Sequence, residues 1–191
     1  MGATKKMGQL RIIAGQWRGR KLPVADLPGL RPSADRIRET LFNWLAPDIV
    51  GARCLDLFAG TGALGLEALS RGAAHCQFVE HQGPAADLLR QALITLNAGS
   101  LGEIHLEDAG KFLARGKQDP FDLVFLDPPF ASNLLDAALT QLTDSPLLSP
   151  NALIYLEYAP TQSPCIPAHW QQYRSKKSAG VVYELYRKET P

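Results

Sequence analysis

The 191-residue sequence predicts an α/β protein: a mostly parallel seven-stranded sheet with one antiparallel strand, plus a small β-hairpin extension at the amino terminus. Three observations carry that expectation. Apolar runs of strand length alternate with helical patterns between residues 53 and 157; a glycine turn joins the first such strand to its helix; and the last two strands follow each other with no helix between them. Strict alternation puts a helix in each crossover, which makes neighbouring strands parallel and places helices on both faces.

Gln9 to Ala14 and Arg20 to Val24 read as two short strands around Gly15-Gln16-Trp17-Arg18-Gly19, a hairpin appended to the main domain. Pro28-Gly29 marks a break. Ser33 caps a helix through Leu45, where Ile37, Leu41, Trp44 and Leu45 recur at helical spacing while Arg36, Arg38 and Asn43 lie elsewhere on the cylinder. Pro47 ends that helix. Strands follow near Arg53 to Phe58, Cys76 to Glu80, Glu103 to Glu107, Leu123 to Asp127 and Leu153 to Glu157, separated by helices near 63–71, 84–97, 109–116 and 133–142. Gln171 to Lys176 and Val181 to Arg187 close the chain as a hairpin around Ser178-Ala179-Gly180, which supplies the antiparallel strand. The expected division is a basic extension over residues 1–30 and one catalytic domain over residues 31–191, a length that suits a single core.

Composition narrows the class. No apolar stretch reaches the ~18 residues of a membrane span, and Met1 to Met7 carries charge without the apolar region of a secretory signal, so it reads as a loose terminus. Cys54, Cys76 and Cys165 show no metal-ligand spacing and fit a reducing cytoplasm, with Cys54 and Cys76 as small packed hydrophobes. His75, His81, His105 and His169 lack a metal or nucleophile pattern and read as surface or packing residues, so no metal is expected. The net charge of +1 conceals an asymmetry: residues 1–40 hold nine basic groups against three acidic ones, and the other 151 hold eleven against sixteen. One end therefore addresses a polyanion. Arg11, Trp17, Arg18, Arg20, Arg31, Arg36, Arg38 and Asn43 are the candidate nucleic-acid contacts, with Trp17 interleaved among cations as a stacking surface for an unpaired base.

Two motifs carry chemistry. Leu55-Asp56-Leu57-Phe58-Ala59-Gly60-Thr61-Gly62-Ala63-Leu64-Gly65 reads as strand, glycine turn and helix, and Gly60, Gly62 and Gly65 satisfy G-x-G-x-x-G. That spacing admits a dinucleotide, with Glu80 on a ribose hydroxyl pair. Asp56 tilts the choice, because a carboxylate before the turn repels a pyrophosphate but suits a cationic cofactor such as S-adenosylmethionine. The second motif is Asp127-Pro128-Pro129-Phe130, at the end of an apolar strand. Its two prolines remove backbone donors and leave the Asp127 and Pro128 carbonyls able to accept, so the corner offers acceptors to a planar amino group and Phe130 as a stacking face.

Together, Asp56 to Gly62, Glu80 and Asp127 to Phe130 resemble the class I S-adenosylmethionine-dependent amino-methyltransferases, which have a Rossmann-like fold. The stretch from Arg31 to Leu45 is similar to the bacterial family that methylates the exocyclic N2 amine of one guanine in small-subunit (16S) ribosomal RNA; the likeness runs from Arg11 to Tyr186. The resemblance implies S-adenosylmethionine as donor and S-adenosylhomocysteine as product. It implies that Glu80 holds the ribose, Asp108 with Ala109 the adenine, and the loop from Phe58 through Gly60 and Thr61 to Gly62 the methionine part, with Asp56 beside it. Asp108 also reads as a helix cap. It further implies a cytoplasmic, monomeric enzyme acting on an assembled or assembling 30S particle, through in-line attack of the amine with Asp127, Pro128, Pro129 and Phe130 at the reacting base. The residues alone leave open adenine-N6 methylation of DNA, glutamine methylation of a protein, a nicotinamide dehydrogenase, and an RNA-binding module that keeps a cofactor pocket without catalysis.

Overall fold

The computed structural model describes residues 8–24, 35–116, 118–130, 132–178 and 180–189. Arg31, the Ser33 cap and the Pro28-Gly29 break lie outside them. The elements in chain order are β1 Gly8–Arg11, β2 Lys21–Val24, α1 Asp35–Trp44, β3 Arg53–Asp56, α2 Ala63–Ser70, β4 His75–Glu80, α3 Gly83–Thr95, β5 Gly102–Leu106, α4 Ala109–Arg115, β6 Phe121–Leu126, α5 Leu134–Leu142, β7 Leu148–Tyr158, β8 Trp170–Ser178 and β9 Val181–Lys188.

The main sheet has seven strands in the order β5-β4-β3-β6-β7-β9-β8, and β1 and β2 form a separate antiparallel pair. Only β9 runs against its neighbours in the main sheet, pairing antiparallel with both β7 and β8. The chain steps outward from β3 through β4 to β5, then returns to place β6 on the other side of β3. That reversal opens a crevice at the carboxyl ends of the strands, where ligands of open α/β sheets bind.

Side chains alternate strictly across the sheet. Cys54, Phe78, Leu123, Phe125, Leu153 and Tyr155 face the core shared with α1, α2, α3 and the β1–β2 hairpin. Leu55, Val79, Val124, Leu126, Ile154 and Leu156 face the core under α4 and α5. Both faces are buried, which explains why these strands read as continuous apolar runs. Cys54 and Cys76 sit fully buried as packed hydrophobes. β7 starts at Leu148 rather than near Leu153, because a register shift opposite Phe121 and Leu123 absorbs Pro150 and the left-handed Asn151 (φ 62°). No helix among the described residues is long and apolar enough to cross a membrane.

The hairpin shares the main core through Leu10, Ile12, Leu22 and Val24. Its turn is sewn to α2 by polar contacts: the backbone N–H groups of Ile13 and Ala14 donate to the fully buried Glu67 carboxylate at 2.8 and 3.0 Å, and Arg71 Nε donates to it at 2.8 Å. Ser70 Oγ donates to the Ala14 carbonyl at 2.6 Å and accepts from Trp17 N at 3.1 Å, while Gln16 N donates to the Ser70 carbonyl at 2.8 Å. Arg38 departs from expectation. It lies on the buried face of α1, fully inaccessible, and Nη2 donates to Asp35 at 2.7 Å and to the Arg11 carbonyl at 2.8 Å, so it braces the hairpin from within the fold.

Glu67→Ala would strand two backbone donors and a guanidinium, a loss of at least ~2 kcal/mol. Urea unfolding is expected to show it, and trypsin is expected to cut faster after Arg18 and Arg20; an unchanged cleavage rate would mean that other contacts hold the hairpin.

Candidate active site

A cleft of about 250 Å³ lies across the carboxyl ends of the central strands. Its walls are Leu57, Phe58 and Gly60 after β3, Val79 to Gln82 at the end of β4, Glu107 to Ala109 after β5, and Pro129 with Leu134 beyond β6. The glycine turn and the double-proline corner thus open on one cavity. Glu80, Glu107 and Asp108 line it, and among the described residues no lysine or arginine does. Leu57, Val79, Ala109 and Leu134 supply apolar surface for a flat ring.

The loop geometry follows from its glycines and two buried carboxylates. Gly62, at φ 74°, starts α2 from the left-handed region, and a Cβ on Gly65 would meet the Phe78 ring at 2.2 Å, so only glycine lets α2 lie this close to the sheet. Glu80 accepts from Gly60 N at 2.8 Å and from Gln82 N at 2.7 Å, clamping the turn to β4 while its remaining lone pairs stay available to hydroxyl donors. Asp56 does not line the cleft. It sits 2 % exposed beneath the turn and accepts from Gly65 N at 3.0 Å. Burial pushes its carboxyl up to about 7, against the pull of the Gly65 N–H and with the help of the Glu80 charge.

Phe58, Gly60, Glu80, Asp108 and Ala109 come together in the cleft. Thr61 lies to one side, with Gly60 under Pro23 and Val24 of the hairpin, and Gly62 packs on Leu66 and Leu89. Asp108 caps α4 through Gly110 N at 2.8 Å and Lys111 N at 3.3 Å, and it also lines the cavity. In the corner, Asp127 is half-buried, Pro128 buried, Pro129 exposed on the cleft wall, and Phe130 36 % exposed.

Of the expected RNA contacts, Arg11, Arg18 and Asn43 line a second cleft of about 380 Å³ between the hairpin turn and α1, together with Asp35, Glu39 and Arg71. Arg11 also pairs with Asp35 at 3.3 Å. Arg36 is exposed on α1, and Arg20 reaches the Thr95 carbonyl at 3.1 Å. Trp17 is half-buried against the core. Arg38, being sealed inside, is withdrawn from this set. Sequence reasoning missed His81, whose Nδ1 lies 3.3 Å from Glu80 in the cleft wall, as well as Glu67 and Ser70. A carboxylate and a hydroxyl on the otherwise apolar helix α2 were the available signal for the last two. Among the described residues, no group of three or more histidine, cysteine, aspartate or glutamate side chains converges as metal ligands do.

Comparison with known proteins places this geometry. The profile of the family described as "Conserved hypothetical protein 95" matches residues 10–187. Ribosomal RNA small subunit methyltransferase D of Escherichia coli (strain K12) is 51 % identical over 183 residues, covering 95 % of this chain and 91 % of that protein. Its namesake from Haemophilus influenzae is 46 % identical, covering 94 % of each. A solved structure of a putative methyltransferase from Escherichia coli superposes with a TM-score of 0.87 at 48 % identity, covering 96 % of this chain and all of that one.

The raised Asp56 carboxyl has a measurable consequence. The folded chain keeps a proton there that the unfolded chain releases, so this contribution to stability is full below about pH 4 and is lost as pH rises toward 7. Without ligand, Asp56→Asn is expected to flatten that loss, by a difference on the order of a few kcal/mol in urea midpoints compared at pH ~4.5 and ~8. Parallel slopes for the two proteins would show that Asp56 titrates normally.

Proposed function

This chain belongs to the family described as "Conserved hypothetical protein 95", alongside the ribosomal RNA small subunit methyltransferase D proteins of Escherichia coli and Haemophilus influenzae, and on that premise we propose that it transfers a methyl group from S-adenosylmethionine to the exocyclic N2 amine of a guanine in small-subunit (16S) ribosomal RNA. The observation that carries this reading is the cleft itself, lined by three carboxylates and, among the described residues, no lysine or arginine, with Pro129 of the double-proline corner in its wall. Such a lining opposes a pyrophosphate and favours a positively charged nucleoside.

S-adenosylmethionine, when bound, supplies a methyl group already activated on a sulfonium and leaves as S-adenosylhomocysteine. The chain's own residues bind and aim. Glu80 accepts from the ribose hydroxyls and Asp108, with Ala109, meets the adenine. The turn from Phe58 to Gly62 receives the methionine end, and Asp56 holds that turn in place from below. At the acceptor side, Asp127 and the Pro128 carbonyl accept from the amine hydrogens, which turns the nitrogen lone pair toward the cleft and stabilises the positive charge that develops on the nitrogen. Phe130 stacks on the base after it leaves its helix. Arg11, Arg18, Arg20, Arg36 and Asn43 hold flanking backbone, with Trp17 as a partial stacking face. The enzyme acts in the cytoplasm, as a monomer, on an assembled or assembling 30S particle.

Incubating the protein with methyl-labelled S-adenosylmethionine and, separately, naked ribosomal RNA, small subunits, DNA and protein tests the assignment; label in DNA alone would overturn the substrate. In the same assay Asp127→Ala is expected to cut turnover by about 10²- to 10³-fold while cofactor affinity stays within ~3-fold, since its partner is the acceptor amine. A large loss of cofactor binding would misplace that role. Reversing two charges at once, Arg18→Glu with Arg20→Glu, should weaken RNA association and flatten the plot of log affinity against log salt by about 1.5 to 2 units. An unaltered slope would put the RNA elsewhere.

A further inference from the structure

The carboxyl end of β7 holds a buried acid that the reading above does not use. Leu126 of β6 pairs with Leu156 of β7, so the next residues lie side by side on parallel chains ~4.8 Å apart: Asp127, just past the end of β6, and Glu157, still in β7 and paired with Tyr183 of β9. Phe125 and Tyr155 both point into the core under α1, α2 and α3, and the two-residue period brings Asp127 and Glu157 to that same side. The Tyr155 hydroxyl donates to Glu157 Oε2 at 2.8 Å. Tyr155 stays a donor because burial, followed by the nearby Glu157 and Asp127 carboxylates, pushes its ionisation far up.

Glu157 is 5 % exposed, and among the described residues no lysine, arginine or histidine pairs with it. One neutral hydroxyl fills one of its four or so lone-pair sites, poor compensation for a carboxylate so withdrawn from water. The arrangement suits a donor that arrives with the substrate. Guanine presents such a donor: its N1–H lies beside the N2 amine and points the same way. Adenine, and any purine with an unprotonated N1, presents a lone pair there instead.

We propose that Glu157 is the residue that reads guanine, its carboxylate accepting the base's N1–H while the adjacent N2 amine rests on Asp127 and the Pro128 carbonyl. This rests on guanine N2 being the acceptor, as inferred above. Tyr155 fixes the carboxylate's angle. Glu157 then rejects purines that lack the N1 proton, because carboxylate and N1 lone pair would meet with no hydrogen between them.

The test changes the base on one side and the acid on the other. After the methylated guanine is mapped with the native enzyme, 2-aminopurine, which keeps the N2 amine but has no N1 proton, is placed at that position in reconstituted small subunits. The native enzyme is expected to prefer guanine by ~100-fold or more in kcat/KM. Glu157→Gln offers an amide N–H to the N1 lone pair and is expected to narrow that preference at least ~10-fold, with S-adenosylhomocysteine affinity retained as evidence of folding. Equal losses on both bases, with the ratio unchanged, would make Glu157 merely structural and overturn the proposal. Should Glu157→Gln not fold, Tyr155→Phe carries the same test, with a narrowing of ~3-fold or more expected and an unchanged ratio again overturning it. A native enzyme that puts no methyl on guanine N2 would bring down the broader reading, and this inference with it, which separates the two failures.

Discussion

Two buried carboxylates hold a glycine turn against the sheet, and the rest of the site depends on that grip. Asp56 accepts from the third residue of α2 and Glu80 from the first glycine of the turn, at 3.0 and 2.8 Å. Each acid ends its strand and grips the turn through backbone amides. Backbone amides have no rotamers to lose, so the loop is fixed at small entropic cost. The arrangement leaves two acids close together out of water, and the strain appears in the displaced protonation of Asp56. Of the two, Glu80 reaches the cleft wall, where Glu107 and Asp108 join it, so the wall favours a positively charged ligand.

The same short helix then serves two ends of the molecule. The amino terminus of α2 closes the glycine turn, and its last turn carries Glu67 and Ser70, which hold the hairpin. The basic residues of the hairpin and the ligand-facing loop are therefore placed by one rigid rod of eight residues. Both surfaces inherit a fixed relative position from it.

Most of the fold was legible because each strand of the parallel core is bounded by a change of period, and the antiparallel hairpin by the absence of a helix. What escaped was where a side chain ends up when a neighbouring element covers it. Arg38 looked like part of a charged face; it is buried because the hairpin, distant in sequence, lies over that side of α1. Glu67 drew no notice because its partners are backbone amides 53 and 54 residues away, which no local pattern encodes. The start of β7 was placed five residues late because its first part pairs with β6 across a register shift that no local pattern encodes. Within the cleft, Glu80 and Asp108 were readable from their strand-end positions, whereas Glu157 gains meaning only when β6 and β7 are laid in register.

The doubly employed helix also limits how relatives of this protein can diverge in length. One residue inserted into α2 would turn everything after it by about 100°, carrying Glu67 and Ser70 off the hairpin. The turn near Gly180 between β8 and β9 faces no such demand, since a Cβ on Gly180 meets nothing within 4 Å. Insertions and deletions should therefore gather at that far rim and be absent from residues 63–70.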